Sequence, residues 1–261
     1  MNFFVVGANG KLGAKLCAYM QKKGFKFIPL GRKQTLDDKW ISNVKTGDCV
    51  INLAAKLGTA FCEENRLNAL LDNTFLASHV EKFIASKVNY IYISTDAVFG
   101  ANPFKCIPTE SSQPLPLNWY AASKRLGEIE TLKNGGSVVR LPLLVDENDP
   151  STLFGKLLSD LEQGIGINVA DNVYNTPISY DDVACHLVEI ILNWGDQLPE
   201  ITHLTGNHYL SIAEIVFGIS EKKGFKRRLI NKFCLDDDSL MIKHGGLDTS
   251  ILEAINYDLG V

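Results

Sequence analysis

Residues 120–124 read Tyr-Ala-Ala-Ser-Lys. On a helix, side chains four positions apart share a face, so this spacing can bring the Lys124 ammonium close to the Tyr120 phenol. A free tyrosine titrates at about pH 10, too high to exchange protons readily at neutrality. A neighbouring cation stabilises the phenolate and lowers that value, which turns the ring into a usable acid or base. Thr95 stands in Ser94-Thr95-Asp96, where the apolar run Tyr90–Ile93 gives out. A hydroxyl at the end of a strand can donate to the same carbonyl oxygen that the tyrosine protonates. Together these residues suggest carbonyl chemistry, with Thr95, Tyr120 and Lys124 as the candidate catalytic group. Tyr-x-x-x-Lys also occurs by chance on many helices, so its weight depends on its surroundings.

Those surroundings begin at the start of the chain. The apolar run Phe3-Phe4-Val5-Val6 leads directly into Gly7-Ala8-Asn9-Gly10-Lys11-Leu12-Gly13. A strand that enters a glycine turn and then a helix is the opening of a dinucleotide fold. The glycines allow the tight turn, the close approach of backbone N–H groups to a pyrophosphate, and close helix–strand packing. The helix N-terminus adds uncapped donors and a positive dipole end. The spacing is G-x-x-G-x-x-G, one residue longer before the second glycine than the G-x-G-x-x-G fingerprint. The end of the second strand bears on cofactor choice. NAD enzymes place an acidic residue there for the ribose 2′-hydroxyl. Gly31-Arg32-Lys33 puts two cations at that place instead, which suits a 2′-phosphate and predicts NADP(H), the alternative being a solvated surface pair.

Short apolar runs alternate with helical patterns through the first half of the chain, as βαβ units of a parallel sheet do. Strands are expected at Phe3–Val6, Phe25–Leu30, Asp48–Leu53, Tyr90–Ile93 and Ser137–Leu141. Helices are expected over Lys11–Lys23, over residues 63–86 with Glu63-Glu64 at the start, and from Trp119 to about Lys133. A loop bearing Pro103, Pro108, Pro114 and Pro116 precedes the last of these. After about residue 145 the pattern is less regular. Helices are expected at Leu153–Glu162, Tyr180–Asn193 and Ser211–Lys223, the last with Ser211 and Glu214 set as a capping box. Short strands are expected at Ile167–Ala170 and Ile201–Leu204. The predicted architecture is α/β: a Rossmann doubly wound parallel sheet with a small C-terminal substrate-binding lobe. Residues 1–145 would form the NADP-binding region with the catalytic residues. Residues 146–261 would form the lobe, interleaved with the last sheet elements.

Composition excludes several other classes. The net charge of −4 and the absence of a long basic run argue against nucleic acid as a partner. Nothing approaches the roughly 20-residue apolar span of a membrane helix. The six cysteines (17, 49, 62, 106, 185, 234) form no C-x-x-C pair. They read as reduced core thiols in a cytoplasmic protein. The five histidines are too dispersed for metal ligation, and Asp236-Asp237-Asp238 reads as a helix cap or a solvated turn.

The chain resembles the extended short-chain dehydrogenase/reductases, and among them the dTDP-4-dehydrorhamnose reductase branch. Four segments carry the resemblance: Gly7–Gly13, Val50-Ile51-Asn52-Leu53-Ala54-Ala55, Ser94-Thr95-Asp96-Ala97-Val98-Phe99-Gly100, and Tyr120–Glu128. Weaker echoes are Asn73, Thr176–Ala184, and Leu247-Asp248-Thr249-Ser250. The resemblance implies that Thr95, Tyr120 and Lys124 are the catalytic triad. It also implies that Gly7, Asn9, Gly10, Lys11 and Leu12 hold the pyrophosphate beside Gly13, and that Ala54 and Ala55 pack on the adenosine ribose and phosphate. Leu53 and Ser94 would complete the cofactor site, and Lys124 would also bind the nicotinamide ribose hydroxyls. Thr95, Asp96, Ala97 and Leu143 would face the sugar. Two positions depart from the branch: Ala97 stands where tyrosine is usual, and Leu143 where tryptophan is usual. The implied function is NADPH-dependent reduction of a nucleotide-linked 4-keto-6-deoxy sugar, with a homodimer left open. Two alternatives share the fold: a nucleotide-sugar epimerase or dehydratase, and a non-catalytic NADP-binding regulatory subunit. Dehydratases of the superfamily follow the threonine with Asp-Glu, whereas Ala97 follows Asp96 here.

Overall fold

In the computed structural model, which describes residues 1–37, 39–74, 83, 85–101, 106–236 and 241–252, the apolar runs become strands, buried on both faces except at one edge of the sheet. They are β1 (Phe3–Val6), β2 (Phe27–Leu30), β3 (Cys49–Asn52), β4 (Asn89–Thr95) and β5 (Ser137–Leu141). Shorter strands follow: β6 (Leu144–Val145), β7 (Ile167–Ala170), β8 (Tyr174–Asn175), β9 (Ile178–Ser179), β10 (Ile201–His203), β11 (Leu210–Ser211) and β12 (Ile230–Phe233). Six strands make one parallel sheet in the order β10-β5-β4-β3-β1-β2.

The two faces of this sheet follow the period of two along each strand. Phe3, Val5, Ile51, Ile91, Ile93, Val139 and Leu141 face the Lys11–Lys23 helix (Leu16, Met20) and the Tyr180–Trp194 helix (Val183, Leu187, Ile191). Phe4, Val6, Val50, Tyr90, Tyr92 and Val138 face the other side, with Trp40 and Phe83. With helices over both faces the inner strands have no wet side, so their runs are apolar throughout rather than alternating with polar residues, while at the edge strand β2 Ile28 and Pro29 are exposed. This is the doubly wound α/β sheet predicted above. β2 and β3 lie on opposite sides of β1, so the strand order reverses there, and a crevice opens at the carboxyl ends.

The chain beyond β5 both returns to the sheet and builds a second wall. β10 pairs with β5 at the sheet edge. A separate apolar cluster, including Phe154, Leu158, Ile167, Val169, Ile215 and Ile219, joins the Leu153–Glu162 and Ile212–Lys222 helices to the parallel pair β7–β12. The second of these helices opens with the expected capping box. The Glu214 amide donates to Ser211 Oγ (3.1 Å), and the Ser211 amide donates to Glu214 Oε2 (2.7 Å).

Several boundaries differ from the sequence reading. β2 starts at Phe27, not Phe25, because the Phe25 amide donates to Met20 O at 2.9 Å and closes the first helix across Gly24, whose φ is 76°. The helix expected over residues 63–86 is two helices, Thr59–Glu64 and Arg66–Thr74, parted at Asn65 (φ −124°, ψ 51°). Glu63-Glu64 therefore end a helix instead of starting one. Residues 75–82 and 84 of that span lie outside the described residues, as do His79, Pro103, Asp237 and Asp238. Cys49 and Cys62 are buried as expected, but Cys106 and Cys234 are exposed, since both fall on connections outside helix and strand. Among the described residues no helix is long and apolar enough to cross a membrane.

Candidate active site

A cleft of about 1540 Å³ follows the carboxyl edge of the sheet and is closed on its far side by the second wall. Gly7, Asn9, Gly10, Lys11, Leu12, Gly13, Arg32, Leu53, Ala54, Ala55, Ser94, Tyr120 and Lys124 all line it, as do Thr95, Asp96, Ala97 and Leu143. Lys33 does not line it; it is exposed on the helix that Arg32 opens.

The glycine turn is built for close approach. Gly7 has φ +83°, and a Cβ there would lie 2.8 Å from Ala54 N. A Cβ on Gly13 would lie 2.3 Å from Gly7 O, so the helix could not pack onto the turn. Gly10 caps the first helix without a side-chain acceptor, which leaves the first-turn amides of a 13-residue helix facing the cleft. These amides and the positive dipole end fit a pyrophosphate. Lys11 Nζ donates to Ser151 O and clasps the loop after β6 to the turn.

Thr95 ends β4. Its Oγ1 accepts from the Ala97 amide (3.2 Å) and donates to Asp96 Oδ1 (3.1 Å). Tyr120 lies in the first turn of the Trp119–Lys133 helix, whose N-cap Asn118 accepts from the Ala121 amide at 2.9 Å. Its phenol lines the cleft beside Thr95. Burial pushes the phenol well above its ordinary value, and the neighbouring Thr95 side chain opposes that only in part.

Lys124 departs from the sequence expectation. Its Nζ donates to Ile93 O at 2.6 Å and lies 4.0 Å from the centre of the Tyr92 ring. Burial lowers the ammonium to about 7, and Glu128, one turn along the helix, pulls it back upward. Lys124 is drawn to the strand backbone, and Tyr120 stays protonated, the form that can give a proton.

Asp96 is committed to protein donors. Its Oδ2 accepts from Asn175 Nδ2 (2.7 Å) and the Gly246 amide (2.8 Å), and Oδ1 takes the bond from Thr95. Burial nonetheless raises this carboxyl above its usual value. Asn175 Oδ1 in turn accepts from the Leu143 amide at 2.9 Å. Asp96 thus ties β4 to the second wall, and its expected sugar contact would have to compete with these bonds. Ala97 and Leu143 leave the neighbouring lining apolar.

Several residues support the site from outside the candidate catalytic group. Asn73 is buried; its Oδ1 accepts from the Lys56 amide (2.7 Å) and its Nδ2 donates to Ser123 Oγ (2.7 Å), which joins the loop after β3 to the Tyr120 helix. Glu128 and Arg140, both fully buried, form two 2.9 Å bonds, and Arg125 adds a third at 2.8 Å. Arg140 Nη1 lies 3.3 Å from His203 Nε2. A guanidinium only donates, so Nε2 accepts and Nδ1 donates to Asp248 O at 2.7 Å. Desolvation lowers the His203 pKa, consistent with a neutral ring. Glu128 sits one turn beyond Lys124 and could be suspected from that spacing; Asn175 has no such clue.

A glycine turn at the strand-order reversal, with threonine, tyrosine and lysine beside it, is the arrangement of an extended short-chain dehydrogenase/reductase. Within that class, the chain belongs to the RmlD substrate binding domain family, which it matches over residues 1–233. It is 25% identical over 237 residues to the spore coat polysaccharide biosynthesis protein SpsK of Bacillus subtilis, covering 87% of this chain and 81% of that one. It is 29% identical over 206 residues to a dTDP-4-dehydrorhamnose reductase of Mycolicibacterium smegmatis, covering 76% of this chain but only 62% of that relative. The fold is also that of the Bacillus anthracis dTDP-4-dehydrorhamnose reductase crystallised with NADP, with a TM-score of 0.85 at 18% identity, covering 98% of this chain and 94% of that one.

Proposed function

We propose that the protein is an NADPH-dependent reductase of a nucleotide-linked 4-keto-6-deoxy sugar, of the dTDP-4-dehydrorhamnose reductase type. The observation that carries this reading is that Thr95 and Tyr120 line the wall of one cleft together with the glycine turn. NADPH supplies the hydride when bound. The first-turn amides at Gly10–Gly13 hold its pyrophosphate, Ala54 and Ala55 pack along the adenosine half, and Arg32 takes the 2′-phosphate. Residues 1–145 thus provide the cofactor side and residues 146–261 the substrate wall.

The chain's own part in the reaction is to place the carbonyl and give it a proton. Thr95 and Tyr120 both line the cleft, and a carbonyl oxygen placed between them would accept from both once the Thr95 hydroxyl turns from Asp96 Oδ1. As negative charge grows on that oxygen, both bonds strengthen, which favours the transition state over the ground state. Tyr120 then releases its proton to the oxygen. Lys124, which lines the cleft and is held at the Ile93 carbonyl, would bind the nicotinamide ribose hydroxyls. Dehydration of the same sugars needs an acidic residue after Asp96, and buried Ala97 supplies none.

The test is NADPH consumption against a panel of dTDP-, UDP-, GDP- and CDP-linked 4-keto-6-deoxy sugars, with wild type and Tyr120→Phe. The variant keeps the ring and its packing. It should bind NADPH normally and lose ~10²–10⁴ in turnover. A variant that keeps a third of wild-type turnover would place the acid elsewhere. A wild type that binds NADPH but reduces nothing in the panel would favour the non-catalytic, regulatory reading.

A further inference from the structure

At the end of the cleft nearest β2, Arg32 Nη2 donates to both carboxylate oxygens of Asp72, at 3.0 and 3.1 Å. Arg32 opens the helix after β2, and Asp72 lies on the Arg66–Thr74 helix, which follows β3. The pair therefore spans the point where the strand order reverses. Both residues line the cleft, among the exposed side chains of Leu36, Leu57 and Leu71, a setting suited to a flat base. Arg32 is 70% exposed and Asp72 28%, so the guanidinium is open to an incoming anion while the carboxylate is partly enclosed.

A guanidinium offers a planar fork that matches a carboxylate or a phosphate equally well. The Nη2 that holds Asp72 is thus the group a 2′-phosphate would want. An anion arriving here must displace Asp72 and then remain beside its charge. A ribose 2′-hydroxyl faces the opposite situation, because an ionised carboxylate only accepts and the hydroxyl can donate to it.

We propose that Asp72 sets the cofactor selectivity of this site: it competes with the 2′-phosphate for Arg32 and accepts from a ribose 2′-hydroxyl, so the site admits NADH alongside NADPH. The proposal rests on the placement of the 2′-phosphate at Arg32 given above. Arg32 reads the phosphate, Asp72 reads the hydroxyl, and their mutual ion pair holds both in place before either ligand arrives.

The experiment measures dissociation constants of NADPH, NADH, 2′,5′-ADP and 5′-ADP for wild type, Asp72→Asn and Arg32→Ala. Asp72→Asn is isosteric and partly exposed, so the fold is not at stake. It should tighten NADPH and 2′,5′-ADP by about 3- to 10-fold, the range for freeing an exposed ion partner and removing one like charge. It should leave NADH and 5′-ADP unchanged or weaker, so the NADPH-to-NADH preference rises. Arg32→Ala should weaken the 2′-phosphorylated ligands alone. If Arg32→Ala behaves so but Asp72→Asn leaves the preference unchanged or lowers it, Asp72 is not the determinant, and the cofactor placement stands without it. If Arg32→Ala spares NADPH, the phosphate lies elsewhere, and this inference fails with that placement.

Discussion

Replacing Lys124 by methionine should remove a pH dependence of stability that the wild type carries. Lys124 is 2% exposed, and burial brings its ammonium to about 7 from the ordinary 10.5. Between those values the unfolded chain holds a proton that the folded chain has released. The unfolded state then binds more protons, so stability rises with pH across the window and gains nothing more from this group below pH 7. Integrating ~1.4 kcal/mol per pH unit from half-release at pH 7 to full release near pH 9 gives ~2 kcal/mol. Methionine has nearly the same length and no charge, so it occupies the same space. It also leaves Ile93 O without its 2.6 Å donor, a loss of about 1–3 kcal/mol that is the same at every pH. Urea unfolding of both proteins at pH 7 and pH 9 separates the two effects, because titrations elsewhere cancel in the difference. The wild type should gain ~2 kcal/mol on the variant between the two pH values. A difference that stays constant within about 0.5 kcal/mol would refute the argument and return Lys124 to an ordinary ammonium.

Glu128→Gln should cost about 3–5 kcal/mol in urea unfolding, since it leaves the fully buried Arg140 without its counter-charge; an unchanged midpoint would mean that water reaches the pair. Gly13→Ala should destabilise by about 1–3 kcal/mol and abolish tight NADPH binding, because its Cβ would meet Gly7 O at 2.3 Å and force the turn open; calorimetric titration with NADPH checks this. Ser211→Ala should cost about 1 kcal/mol by removing the capping-box bond to the Glu214 amide, with no effect on cofactor affinity.

Features governed by near neighbours were legible in the chain itself. The glycine turn, the Tyr120–Lys124 spacing, the Ser211–Glu214 cap and the two-sided apolar strands each depend on residues within a few positions, so local geometry dictates them. In the folded sheet the alternation along β1 puts Phe3 and Val5 on one face and Phe4 and Val6 on the other. What local spacing could not supply was which partner each charged group would meet. Lys124 shares a helix face with Tyr120, yet its ammonium goes to Ile93 O on a strand 31 residues away in sequence. Arg32 meets Asp72 across the strand-order reversal, and Asp96 meets Asn175 and Gly246 from the far wall. Direct contacts and desolvation set these charges, and both depend on segments brought together only by the sheet order and the closing of the second wall. The sequence therefore determined which groups stand at the carboxyl edge of the sheet. The tertiary structure decided their protonation and their partners, because burial and long-range contact exist only once the chain has folded.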